Sequence, residues 1–202
     1  MPLMSHTPMV VPDTKQSPTT DIALIASFAG LIAVCAIIPG IHVGGLAVPI
    51  TLQTFGVLLA GTVLGPKRGF LAAALYLVVG FAGLPIFADG AGGPGVFAKP
   101  SIGYLLAFPL AAALAGFIVE RLPREKLAVS APLIFMAGMV SSFAFIHPLG
   151  IAGLMWRIPT DLDAAFKIDL TFWVGDVVKN VFVAIVATSV HRAFPDLLPK
   201  RR

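Results

Sequence analysis

The sequence carries little charge for its length. Of its 202 residues only 12% are charged, whereas 57% are hydrophobic, and the mean hydropathy is +0.94. Average globular domains carry roughly 25% charged residues, so a soluble fold of this composition would expose more apolar surface than water tolerates. The scarcity of charge excludes an ordinary cytosolic enzyme, a disordered chain and a nucleic-acid-binding protein. It indicates an integral membrane protein that lies in a lipid bilayer.

Cysteine pairs and the common catalytic motifs are also missing. The single cysteine, Cys35, lies in an apolar run, which excludes a disulfide framework or a thiolate metal site. No HExxH, GxSxG or phosphate-binding GxxxxGKS/T motif occurs, and the four histidines are too scattered to predict a metal site. We therefore expect no enzyme, no catalytic residues, no metal and no cofactor. We expect His42 and His147 to be interfacial residues bonded to backbone or water, or else to edge a binding cavity.

Long apolar runs are what the sequence does contain. A helix that spans a bilayer needs about 20 largely apolar residues. Continuous apolar runs lack the alternation of barrel strands, so each span is predicted to be a helix. We expect an all-α bundle of six transmembrane helices, of which the second is short and the third marginal. The predicted spans are Ile22–Ile38, Ile50–Leu64, Gly69–Leu84, Ile102–Val119, Ala131–Leu154 and Leu170–Val190.

Lysine and arginine are unevenly divided between the two ends of these spans. Ten lie in segments on one side and three on the other, while Lys179 lies within the last span. Membrane proteins keep an excess of Lys and Arg in cytoplasmic loops, so both termini are expected in the cytoplasm. Residues 1–20 are then a disordered cytoplasmic tail, residues 21–194 a substrate-binding membrane domain, and residues 195–202 a basic cytoplasmic tail.

The last span contains charged residues that a purely structural apolar helix does not need. Asp176 and Lys179 are three residues apart, so they lie on one helix face and can touch. Charges inside a span usually point at a partner or a water-filled cavity. One interpretation is an ion pair that fixes helix packing; the other is a ligand site near the outer face. In a ligand site the carboxylate accepts N–H groups and the ammonium donates to a carbonyl or carboxylate, and Asn180 could add an amide.

A loop rich in glycine and proline, residues 85–100, follows the third predicted span. Glycine lets the chain bend freely and proline fixes its corners. The apolar residues Phe87, Val96 and Phe97 would not suit a fully solvated connector. Because the charge asymmetry places this loop outside, we expect either a lid over a binding cavity or a surface loop that dips into the lipid headgroups.

Small residues recur four apart in the first span, at Ala26 and Gly30 and at Ala29 and Ala33. This spacing lets helices approach closely in a membrane. It suits either internal packing of the bundle or docking on a partner membrane protein.

Several motifs follow one another along the chain: VPITLQT at 48–54, LLAG at 58–61, LGPKRG at 64–69, YL at 76–77, GLPIFA at 83–88, GYL at 103–105 and GDVVK at 175–179. In this order they resemble the motifs of the BioY family, the biotin-capturing S components of energy-coupling factor (ECF) transporters. The resemblance covers roughly residues 22–190. One stretch departs from the family's common pattern, because residues 98–104 include the charged Lys99 and the bulky Ile102.

The resemblance implies a six-helix protein of the prokaryotic plasma membrane that binds biotin in a pocket open to the outside. It implies docking, through small residues of the first helix, on a transmembrane coupling (T) protein that binds two ABC-type ATPases. Biotin is then a transported ligand and not a cofactor. Asp176 and Lys179 match the family's polar pair, and the further candidate contacts, placed by location, are Gln53, Phe87, Tyr104 and Asn180.

Two other functions remain open at this point. The chain could be an S component for another small vitamin, or a solitary biotin carrier that works without ATPases. An intramembrane enzyme that uses Asp176 and Lys179 as an acid and base lacks a nucleophile or a metal set.

Overall fold

The computed structural model describes residues 17–42, 48–123, 130–195 and 197–198. Most of the predicted N-terminal tail, and most of the basic C-terminal tail, lie outside these residues. Within them the architecture is a bundle of helices, with one isolated antiparallel pair between Ile41 and Ile50. The predicted all-α membrane fold is confirmed. The helices are α1 (Pro18–Ile37), α2 (Gln53–Leu64), α3 (Pro66–Phe81), α4 (Ile102–Arg121), α5 (Ala131–Arg157) and α6 (Leu162–Ala193).

Four of these helices, α1, α4, α5 and α6, are long and apolar enough to cross a membrane. Helix α2 has only 12 residues and α3 has 16, so the weak second and third spans of the sequence are indeed the short helices. Large apolar side chains stay exposed on the outer faces of the bundle, as on α6, where Val174 is 77% exposed. Such a surface suits lipid and not water. The six-span topology with both termini inside remains a prediction.

Local sequence explains where several helices begin. Ser17 caps α1 by accepting a hydrogen bond from the Thr20 N–H, and Asp161 caps α6 by accepting one from the Ala164 N–H. Helix α6 therefore begins eight residues before the predicted span, because its first turns are polar and escape a search for apolar runs. Gly65, with φ of 83°, makes the turn between α2 and α3.

Glycines hold the central helices close together. A Cβ on Gly61 of α2 would collide with the Ala112 carbonyl of α4, and one on Gly103 of α4 would collide with the Leu149 carbonyl of α5. Since lipid provides little hydrophobic driving force between helices, such close backbone packing stabilises the bundle.

Helix α5 contains a wide turn at Ser142–Ile146, in which the His147 N–H donates to the Ser142 carbonyl five residues back. Pro148 directly follows His147 and cannot donate to the carbonyl four residues before it. Wide turns of this kind occur frequently at functional sites. Here the turn sets the direction from which His147 reaches α6.

The Gly- and Pro-rich loop has its own structure. It contains two short 3-10 turns, Ala88–Gly90 and Pro94–Ala98, and the Gly93 N–H donates to the Gly80 carbonyl at 2.8 Å. Phe87 and Val96 are 2% exposed, whereas Phe97 is 40% exposed. Phe87 packs against Tyr76 and Phe81, and Phe97 stacks on Phe81, so two of the three apolar residues noted in the sequence pack the loop on the end of α3.

Candidate binding cavity

A cavity of about 260 Å³ lies at the end of the bundle where α2 and α4 begin. Lys67 at the beginning of α3, Arg121 at the end of α4 and Arg192 at the end of α6 all lie at the other end of the bundle. Because this basic end is predicted to face the cytoplasm, the cavity is on the side predicted to be outside. Its walls come from the segment before α2 and the first turn of α2, the loop 85–100, the start of α4, Ile146 of α5 and the middle of α6. The lining residues include Val48, Thr51, Gln53, Thr54, Phe87, Val96, Lys99, Tyr104, Phe108, Phe172, Asp176 and Lys179.

Asp176 and Lys179 contact each other in this cavity. The Lys179 Nζ is 2.6 Å from the Asp176 Oδ1, and the two residues are 8% and 3% exposed. Thr54 also donates to Asp176 Oδ1, at 3.0 Å, and Lys179 Nζ donates to the Thr51 carbonyl at 3.1 Å. No described residue donates a hydrogen bond to Asp176 Oδ2, so one oxygen of this buried carboxylate is available to a ligand.

Gln53 and the loop 85–100 are linked by a chain of hydrogen bonds. Thr51 Oγ1 donates to Gln53 Oε1 at 2.9 Å, and Gln53 Nε2 donates to Tyr76 Oη at 2.6 Å. Tyr76 Oη in turn donates to the Ile86 carbonyl at 3.1 Å. Both polar atoms of the Gln53 side chain are thus engaged, which fixes its position in the cavity wall.

The apolar part of the cavity is formed by aromatic and branched side chains. Phe87 and Val96 from the loop line it together with Phe108 and Phe172. The Phe87 ring packs edge-on against Tyr76, with ring centroids 5.2 Å apart. Phe97 is not part of the lining and stacks on Phe81 outside, with centroids 4.4 Å apart.

Charged residues also lie at the edge of the cavity. Lys99 and Asp89 belong to the lining, and Asp89 Oδ2 is 3.3 Å from His42 Nε2 in the segment between α1 and α2. The departure from the family pattern at Lys99 therefore places a cation at the cavity, on the loop 85–100. In the same stretch Ile102 is completely buried.

Tyr104 lines the cavity with its ring, for which Gly150 of α5 leaves room. Its hydroxyl donates to Asp169 Oδ1 at 2.9 Å. Asp169 is fully buried and also contacts His147, whose Nδ1 is 2.9 Å from Oδ2. The expectation that His147 is an interfacial residue bonded to backbone or water is therefore wrong.

Sequence reasoning missed Asp169 and Thr54. Asp169 lies one residue before the predicted last span, and it is seven residues before Asp176, which places both carboxylates on the same face of α6. That spacing was a signal for Asp169. No charge or spacing distinguishes Thr54, which reaches Asp176 from another helix.

Asn180 lies outside the lining of the cavity. Its Nδ2 donates to the Asp176 carbonyl at 2.9 Å, and its side chain packs on Gly138 of α5, where a Cβ would collide with Oδ1. It is 1% exposed. Asn180 is therefore buried between α5 and α6.

The small residues of α1 divide between two faces. Ala29 is 7% exposed and packs in the core of this chain, and Ala33 is half-buried. Ala26 and Gly30 are exposed, and a Cβ on Gly30 would meet nothing within 4 Å. The pair available to another protein is Ala26 and Gly30.

These features define a helical membrane protein with a substrate-sized cavity that combines aromatic walls with buried opposite charges. The model of the BioY family matches residues 7–196 of the sequence. The chain belongs to the BioY family.

Several relatives are similar over nearly their whole length. A biotin transporter BioY from Rhizobium etli is 35% identical over 185 residues, covering 91% of this chain and 98% of the relative. One from Rhodobacter capsulatus is 38% identical over 191 residues, covering 90% and 98%. Because these relatives are transporters, the chain is a transport protein, and the prediction that it is not an enzyme is confirmed.

A solved structure supports the same fold. It is the crystal structure at 2.1 Å of the S-component for biotin from an ECF-type ABC transporter. It matches with a TM-score of 0.78 and 26% identity, over 86% of this chain and 92% of that chain.

Proposed function

We propose that the chain captures biotin in this cavity as the S component of an ECF-type importer in the cell membrane. The observation that carries the proposal is the buried Asp176–Lys179 pair, which joins a carboxylate with an available Oδ2 to an ammonium group in an aromatic cavity. A buried charge pair without a ligand gains little stability over apolar packing, so its presence in a cavity favours a binding role.

The chemistry of biotin suits this arrangement. Its ureido ring offers two N–H donors and a carbonyl, and Asp176 Oδ2 is an acceptor for such a donor. Lys179 donates to carbonyl or carboxylate oxygens, while Phe87, Phe108 and Phe172 cover the apolar bicyclic ring. Lys99 supplies a second cation for the carboxylate tail. The relatives named as biotin transporters support the same ligand.

Energy for uptake has to come from other chains, because the sequence holds no phosphate-binding motif for ATP. The structural relative is the S-component of an ECF-type ABC transporter, which supports assembly with a T protein and a pair of ABC-type ATPases. The exposed Ala26 and Gly30 face of α1 is our candidate for the contact with the T protein.

Ligand identity is tested with purified protein. Radiolabelled biotin should bind at one site per chain, and unlabelled biotin should displace it whereas thiamine and riboflavin should not. Preferential displacement by another vitamin would favour an S component for that vitamin. The bound biotin should be recovered chemically unchanged.

Dependence on partners is tested by uptake in cells that express the chain with or without the T protein and ATPases. We expect the partners to copurify with the chain and uptake to require ATPases that hydrolyse ATP. Equal uptake without them would support the alternative of a solitary biotin carrier.

A further inference from the structure

A continuous chain of hydrogen bonds leads away from the ammonium group of the binding pair. It begins at Lys179 of α6, whose Nζ donates to the Thr51 carbonyl at 3.1 Å. The Thr51 hydroxyl donates to Gln53 Oε1 at 2.9 Å, and Gln53 Nε2 donates to Tyr76 Oη at 2.6 Å. The chain ends where the Tyr76 hydroxyl donates to the Ile86 carbonyl at 3.1 Å. It therefore crosses from α6 to α3 by way of the beginning of α2.

The two ends of this chain lie at chemically different parts of the cavity. Lys179 contacts Asp176 in the polar part. Ile86 directly precedes Phe87, which lines the apolar part from the loop 85–100. Hydrogen bonds in series polarise and strengthen one another in a protein interior, where water competes little. The chain therefore holds the polar and apolar parts of the cavity at a fixed separation.

Tyr76 is a member of the chain that has no role in the proposed function. It is 1% exposed, and it is not part of the cavity lining. Its hydroxyl bonds to two polar groups at once, the amide of Gln53 and the carbonyl of Ile86, while its ring packs edge-on against Phe87. Removal of the hydroxyl would leave both polar groups without this partner, and such groups are costly to bury unsatisfied.

We propose that Tyr76 is a positioning residue of the binding site, because its hydroxyl sets the place of the loop 85–100 relative to Lys179. The chain orders the two parts of the cavity before the ligand arrives, so that binding does not have to supply the cost of ordering them. Ligands whose polar and apolar groups match this separation are bound best. The inference rests on the proposed function, since it takes Lys179 and Phe87 as contacts of biotin.

The first test is Tyr76→Phe, which removes the hydroxyl and keeps the ring that packs on Phe87. We expect Kd for biotin to rise at least about threefold, through faster dissociation of radiolabelled biotin with little change in association. The melting temperature of the biotin-free protein is measured alongside. A hydroxyl that served folding alone would lower the melting temperature and leave the Kd of the folded protein unchanged.

A double-mutant cycle tests whether the chain acts as a unit. Thr51→Val removes the hydroxyl that bonds to Gln53 and keeps the backbone carbonyl that accepts from Lys179. Independent effects multiply, so two losses of about threefold would give about ninefold in the double variant. Either substitution alone already breaks a chain that acts as a unit. We therefore expect the Kd of the double variant to stay within about twofold of that of Tyr76→Phe.

Thr62→Val is the matched control for the deletion of a hydroxyl. Thr62 is fully buried near the other end of α2, and its hydroxyl donates to the Leu58 carbonyl of the same helix at 2.8 Å. It is not part of the cavity lining. This variant should keep the wild-type Kd and dissociation rate.

The outcomes separate the inference from the proposed function. A wild-type Kd for Tyr76→Phe would overturn the inference alone, and so would an equal loss of affinity in Thr62→Val. Multiplied losses in the double variant would also overturn it, because the two hydroxyls would then act separately. If Tyr76→Phe is misfolded, Thr51→Val decides the question, and wild-type affinity in that variant overturns the inference. Wild-type protein that does not bind biotin would overturn the proposed function as well.

Discussion

The ring of Phe87 lies directly against the backbone of Gly80, leaving no space for a Cβ on that glycine. Gly80 is in the last turn of α3, and Phe87 lines the cavity from the loop 85–100. The position of this aromatic wall therefore depends on the absence of a side chain on α3.

We predict that Gly80→Ala displaces Phe87 and weakens the retention of biotin. A methyl group at this position forces the ring away from its packed position, which opens the apolar wall of the cavity. The dissociation rate of radiolabelled biotin should rise at least about threefold, a change of about 0.65 kcal/mol. Gly95→Ala is the matched control, in the loop that carries Phe87, since a Cβ on Gly95 meets nothing within 4 Å. Equal dissociation rates for the two variants would show that Phe87 does not retain the ligand.

Asp176→Asn and Lys179→Met should each weaken biotin binding at least about tenfold while the protein still folds. The loss of one charge-assisted hydrogen bond costs about 1.5–3 kcal/mol, and tenfold in Kd is about 1.4 kcal/mol. Equilibrium binding to purified variants measures the effect. The exposed pair Asp163 and Lys167 lies on the same helix, so Asp163→Asn and Lys167→Met provide matched controls. If Asp176→Asn or Lys179→Met bound biotin with the wild-type Kd, the buried pair would have a role in helix packing only.

Gly30→Leu combined with Ala26→Leu should preserve biotin binding and abolish ATP-dependent uptake. Both positions are exposed on α1, so larger side chains do not disturb this chain, but they prevent a partner helix from approaching closely. Ser189→Leu, at an exposed position on α6, is the control and should retain uptake. Full uptake by the double variant would exclude this face of α1 as the docking surface. Ala29 is unsuitable for the test because it is buried within the bundle.

The loop 85–100 should become more protected from hydrogen exchange when biotin is added. Fixing backbone costs about 1–2 kcal/mol per residue, and contacts of Phe87 and Val96 with the ligand would offset that cost. Exchange in detergent with and without biotin measures the effect, with the short connection 158–161 between α5 and α6 as an internal reference. Equal exchange of the loop in both states would mean that it is a fixed wall and not a lid.

The sequence was sufficient for the helices and for the central charge pair, and the reasons are physical. A bilayer demands long apolar runs, so α1, α4 and α5 are visible in composition alone. The three-residue spacing of Asp176 and Lys179 places them on one face whatever the rest of the fold does.

Other parts of the site could not be predicted in this way, because they depend on contacts between helices. His147 meets Asp169 only after the wide turn of α5 has set its direction, and no local pattern encodes that pairing. The resemblance and the location suggested Asn180, but its rotation about α6 puts it against Gly138. Which of the two small-residue pairs on α1 is exposed likewise depends on the packing of neighbouring helices.

The shortness of α2 has a consequence for how a membrane protein of this size can contain a cavity. Twelve residues of helix rise only about 18 Å, some 12 Å less than the hydrocarbon core of a bilayer. The missing length lies before Gln53, at the end of the bundle where the cavity is found and which is predicted to face outside. The cavity thus occupies the volume that the first turns of a longer α2 would have filled. The Thr51 carbonyl, which lipid could not solvate, borders this cavity and accepts a hydrogen bond from Lys179 Nζ instead.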